Sequence, residues 1–267
     1  MNPRRVLLLA AAGLLIAGCA TTGPSPEARN ALAPTGKLRV GINLANPVLA
    51  KRDPATGEVG GITVDIGRLA ASRLDVDFVP VLYPNPGALV AGAREGGWDI
   101  AFAAVDPTRK DVLDFTAAYM EVTVTYLVPV SSPIRAVPDA DRAGTRIGVG
   151  QKNAADLFLS RTLKQAQLVR FPDNLESAID ALKSGKADLF ASNREGLLQL
   201  RDKLGGYRIL DERLFGVEHA IAMPHGRGPG LAYASAFIEE LKASGVIAQL
   251  IERNSIRGVD VAPPAKQ

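Results

Sequence analysis

The chain has 267 residues, 47% apolar and 22% charged, which suits one large or two modest globular units and excludes a disordered or fibrous protein. Its 31 basic and 28 acidic side chains leave a net charge of only +3, with no basic run long enough to follow a phosphate backbone, so nucleic acid is excluded as a partner. Two histidines and one cysteine cannot build a four-ligand zinc site, and one thiol cannot close an internal disulfide.

Residues 1–18 carry Arg4 and Arg5 and then an apolar run from Val6 to Ala17. That run falls short of the roughly 20 residues a membrane-spanning helix needs, so it reads as the core of a cleaved signal peptide. The ending Ile16-Ala17-Gly18-Cys19 resembles the lipobox of bacterial lipoproteins, which implies cleavage before Cys19 and a lipid on its thiol. Residues 19–36 are small, polar and Pro-rich, the composition of a flexible tether, with folded structure expected from near Lys37. The protein is therefore expected in the periplasm, lipid-anchored to a membrane of the cell envelope.

Beyond Lys37, short β-branched runs alternate with helix-like stretches, the pattern of parallel sheets covered by helices. Leu38–Ile42 predicts a strand, and after a polar turn Ile62, Ile66, Ala70 and Leu74 recur at a spacing of four, one stripe of a helix. Val76–Leu82 predicts a strand, Pro86–Glu95 a helix stopped by Gly96-Gly97, and Asp99–Val105 a strand apolar enough for burial on both faces. The plan then repeats: strand Arg146–Val149, helix Ala154–Lys164, strand Ala166–Phe171, helix Leu175–Ser184 and strand Ala187–Ser192. The stretches ALVAGAREGGWDIAFA and SAIDALKSGKADLFAS superpose with Gly96 over Gly185 and Asp99 over Asp188.

Two extended runs join the halves, Met120–Val130 and His219–Pro224, and terminal helices follow around Phe237, Leu241, Ile247 and Ile251. Two crossings between two lobes make a hinge, and a cleft is the natural consequence. The expected lobes are 37–129 with 222–260, and 130–221.

The runs GGITVDIGRLAASRL, WDIAFAAVDPTRKDVLDFTAAY, RIGVGQKNAADLFL, LESAIDALKSGKADLFA and AFIEELKASGVIAQLI, in that order over residues 37 to 253, resemble the family 3 solute-binding proteins, the polar-amino-acid receptors of ABC importers. The resemblance implies the type II periplasmic-binding-protein fold, two α/β lobes closing on one small solute. It also implies a monomer that delivers the solute to a membrane permease and needs no cofactor.

A carboxylate in a partly dry cleft needs a fixed cation, and Arg109 follows the third strand at its carboxyl end, where open α/β sheets place ligands. It matches the family arginine that forks onto the ligand's carboxylate. Beside it, Ala104, Val105 and Asp106 are candidate contacts. Asp106 is read either as an ammonium acceptor or as a cap for its own turn. In the second lobe Asn153 is a credible N-cap, so Asn153 and Ala154 bring helix amides to the cleft. Gly148-x-Gly150 lacks the third glycine of a dinucleotide fingerprint, which argues against a nucleotide. No ring follows the first strand, so Asn43 and Asn46 are expected to line an aliphatic, amide-bearing pocket. The family's ammonium-binding aspartate falls where this chain reads Asn193, beside Arg194, leaving a polar amino acid or a small dicarboxylate as the solute.

Some proteins of this fold are periplasmic dehydratases, but only Asp106 and Glu218 are acids placeable near the cleft, and His219 and His225 are expected in turns or at the surface. A sensing receptor acting through another chain is the remaining alternative.

Overall fold

A computed structural model describes residues 23–265 as two α/β lobes that share one continuous sheet. The leader and Cys19 lie outside the described residues. The first strand, β1 (Lys37–Asn43), is followed by a small hairpin of β2 (Lys51–Arg52) and β3 (Val59–Gly60), within the stretch expected as a plain turn. Then come α1 (Ile62–Leu74), β4 (Asp77–Tyr83), α2 (Pro86–Arg94) and β5 (Ile100–Ala104). β1 lies between β4 and β5 and runs parallel to both. Asn85 caps α2 with its side chain on the Ala88 amide at 2.8 Å, with Pro86 at the first helical position, the arrangement its sequence signals.

The second lobe repeats this with β7 (Arg146–Gly150), α3 (Ala154–Thr162), β8 (Gln167–Phe171), α4 (Leu175–Lys183) and β9 (Leu189–Asn193). Here β7 is parallel to β8 and β9. The superposition of the two halves has a physical basis. At each site a glycine with φ near +65° ends the helix, and an aspartate follows that receives the first strand's arginine. Asp99 accepts from Arg39 N (3.0 Å), Nε (3.0 Å) and Nη2 (2.7 Å); Asp188 accepts from Arg146 N (2.8 Å), Nε (3.1 Å) and Nη2 (2.5 Å).

The hinge consists of β6 (Leu113–Pro129) and β11 (Phe215–Pro224), longer than the sequence suggested and antiparallel to each other. β6 lies between β11, which it pairs from Leu113 to Val124, and β9, which it pairs from Val124 to Leu127, while β11 pairs β5 from His219 to Ala222. Two register irregularities flank Ala220 in β11, local bends of the kind that re-aim a strand.

Four further elements differ from expectation: the N-terminal helix, a helix after β9 and two short strands paired with β6. Residues Pro26–Leu32, inside the expected tether, form the N-terminal helix, capped by Ser25 Oγ on the Ala28 amide at 3.2 Å. It buries Ala28 and Leu32, one turn apart, and packs on α6 (Gly228–Ala243), so folded structure begins ahead of Lys37. A helix α5 (Arg194–Leu204) follows β9 directly, and β10 (Tyr207–Ile209) pairs with the end of β6. The terminal helices are α6 and α7 (Val246–Arg253), with β12 (Val259–Val261) paired to β6. No described helix is long and apolar enough to cross a membrane.

Candidate functional site

Between the lobes lies a cavity of about 320 Å³, at the small end of the range of roughly 300–1,000 Å³ for small-molecule sites. Arg109, in a 3-10 turn just after β5, lines it and is only 5% exposed. Its Nη1 donates to Ala104 O in the first lobe (2.9 Å) and its Nη2 to Lys152 O in the second (3.1 Å). A guanidinium carries five N–H donors, and these two carbonyls take two of them without neutralising the charge. Desolvation lowers the pKa of the group, with Asp106 and Asp173 acting in the opposite sense.

Of the other expected site residues, Ala104, Asn43, Asn46, Asn153, Ala154 and Asn193 line the same cavity. Asn43 Oδ1 accepts from Ala45 N and Asn46 Oδ1 from Val48 N, both at 3.0 Å, so these two side chains hold the loop after β1. Asn153 caps α3 through the Asp156 amide at 3.0 Å, and its Nδ2 donates to Asp173 Oδ1 at 2.9 Å. Asn193 caps α5 through Gly196 N and reaches across the cleft to Asn46 Oδ1 at 3.3 Å.

Three expected contacts fall outside the cavity wall. Val105 is held in the sheet, its N–H donating to Glu218 O at 2.8 Å. Asp106 serves its own turn, accepting from Thr108 N and Oγ1, and bridges the lobes by an ion pair with Arg161 Nη2 at 2.8 Å. These bonds hold its carboxyl below the usual carboxylate range despite opposing desolvation. Arg194 opens α5 and donates to the carbonyls of Leu210 (3.2 Å) and Asp211 (2.9 Å). Glu218 is exposed and likewise does not line the cavity. The lobes are further joined by Lys51 to the buried Glu195 at 3.7 Å.

Sequence reasoning missed three features of the wall. His219, expected in a turn or at the surface, is buried and lines the cavity, its Nδ1 3.2 Å from Val217 O. Burial pushes its pKa down to about 4, so the ring is neutral at pH 7. Phe102 adds a ring to the first lobe's wall, expected to be aliphatic, and Phe190 adds one from the second lobe. Asp173 lines it as well, at the carboxyl end of β8, a position that the strand–turn–helix reading could have flagged. Gly150 leaves it room in this position, since a Cβ there would stand 1.7 Å from Asp173 Oδ1 and the carboxylate would have to shift.

Residues 38–255 match the bacterial extracellular solute-binding proteins, family 3. The chain belongs to that family. It is 21% identical over 244 residues to the ABC transporter glutamine-binding protein of Bacillus subtilis, covering 87% of this chain and 89% of the relative. Among solved structures, the L-cysteine solute receptor of Neisseria gonorrhoeae is similar at 22% identity and a TM-score of 0.73, covering 86% of this chain and 94% of that one. A mutant of ArgBP from T. maritima is similar at 24% identity and a TM-score of 0.72, covering 85% and 98%. The fold is thus the type II periplasmic-binding fold, and the family is one of binding proteins rather than enzymes.

Proposed function

We propose that the protein captures a polar amino acid in its interlobe cavity and hands it to an ABC permease, with Arg109 holding the solute's carboxylate. The observation that carries this reading is a buried guanidinium that lines the cavity, touches both lobes and, among the described residues, has no carboxylate within hydrogen-bond range. A carboxylate is the partner whose geometry a guanidinium fork matches, and docking there makes contact with the surfaces of both lobes at once. Ala104 and Ala154 add main chain to the wall, and Asn43, Asn46, Asn153 and Asn193 add amides. Calorimetric titration with the twenty common amino acids is expected to reveal at least one tight ligand, which also raises the melting temperature with the logarithm of its concentration above Kd. Silence across that panel and across simple carboxylic acids removes the reading.

The same reading places the mature protein on a membrane of the cell envelope through a lipid on Cys19, acting as a monomer. A Cys19→Ser variant is expected to move from the membrane to the soluble fraction while keeping its binding. Retention on the membrane would refute the anchor.

A further inference from the structure

Arg109 accounts for one charge of the cavity wall and leaves Asp173 without a task. Where the family resemblance places an ammonium-binding aspartate, Asn193 is neutral, with its Oδ1 accepting from Gly196 N and its Nδ2 donating to Asn46. Asp173 supplies the missing sign from a different strand end. Its Oδ1 is fixed by Asn153 Nδ2 at 2.9 Å, and its Oδ2 makes no hydrogen bond among the described residues. The two charges are attached to consecutive residues, since Arg109 donates to Lys152 O and Asp173 accepts from Asn153. A carboxylate and an ammonium group carried on one carbon require two opposite charges placed that close together.

We propose that Asp173 is the acidic half of the solute site and receives the α-ammonium group of an amino acid whose carboxylate is held by Arg109. The inference rests on the amino-acid reading above and assigns the residue that receives the solute's ammonium group. Around Asp173, Arg109 approaches from the turn after β5, with Lys152 and Asn153 from the loop before α3. Asp156 on α3 is paired with Arg170 at 2.8 Å, Glu176 on α4 lines the rim, and His219 on β11 is neutral. Desolvation pushes the Asp173 carboxyl up to about 6, against the opposing pull of Asn153 and Arg109. An uncharged acid attracts an ammonium group weakly, so binding is expected to weaken as the pH falls through that value.

The test titrates wild type and Asp173→Asn with two sets of probes at pH 7.5 and pH 5. One set is the common α-amino acids; the other is nitrogen-free acids such as succinate, glutarate and malate. Asparagine keeps an oxygen for Asn153 Nδ2, so the fold and the α3 cap survive the change. The expected result is an amino-acid ligand weakened about thirtyfold or more by the variant, as for truncation of one partner in a buried charge pair, and weakened in wild type at pH 5. An amino acid held equally by both proteins overturns the proposal, as does a variant that weakens nitrogen-free acids just as much, which would make Asp173 a positioning residue. Binding of nitrogen-free acids alone also overturns it, together with the amino-acid solute, while leaving Arg109 as the carboxylate's partner. Binding of neither set removes both.

Discussion

Asp99→Ala is expected to lower the unfolding free energy by about 3–5 kcal/mol, the loss typical when one member of a buried ion pair is removed. The Asp99 side chain is fully buried, and Arg227 adds a contact at 3.2 Å to the fork from Arg39. Alanine therefore leaves two partly buried guanidinium groups with only backbone carbonyls and no counter-charge, and takes the acceptor from the Arg39 amide. The equivalent change at Asp188, whose side chain is 39% exposed, should cost about 1 kcal/mol or less, because water replaces the lost partner. Denaturant midpoints at constant slope measure both. Equal losses at the two sites would show that burial does not decide the strength of these matching pairs.

The repeat was legible in the sequence because both lobes solve one problem with the same residues: a helix stop, then an aspartate that anchors the start of the neighbouring strand. Strand and helix positions followed for the same local reasons, as with Asn85, Asn153 and Asn174, each capping the helix after it. The N-terminal helix was hidden because only Ala28 and Leu32 are buried, and the surface that covers them belongs to α6, two hundred residues away. α5 was hidden by its largely charged sequence, in which only Leu197, Leu200 and the paired Glu195 are buried.

The site was legible to the extent that strand ends define it. Arg109, Asn43, Asn46, Asn153 and Asn193 all sit at such ends and all reach the cavity. What local sequence does not specify is the competition for each side chain. Arg194 is drawn to the carbonyls of Leu210 and Asp211, and Asp106 to Arg161, by partners that only the folded chain brings near. Conversely, Asp173 is admitted to the cavity by the bare backbone of Gly150, on the adjacent strand.

Holding Arg109 and Asp173 in a partly dry cleft works against stability. With its pKa raised in the folded protein, Asp173 keeps its proton between about pH 4 and 6 while the unfolded chain has released it. The unfolded state therefore binds fewer protons in that window, and the residue's contribution to stability falls as the pH rises through it. Such unfavourable placement is common where binding groups are preorganised.

Arg109→Ala is the sharpest test of that arrangement. Solute affinity is expected to fall about a hundredfold or more, since the carboxylate loses the charged fork that binds it. The ligand-free protein should change by about 1 kcal/mol or less. Although the guanidinium is buried, the two carbonyls it releases border a cavity that water can enter, and the cost of desolvating its own charge disappears with it. Thermal unfolding with and without solute separates the two effects. A collapse of the ligand-free protein would make Arg109 a strut between Ala104 and Lys152, and undiminished affinity would place the carboxylate elsewhere in the cleft.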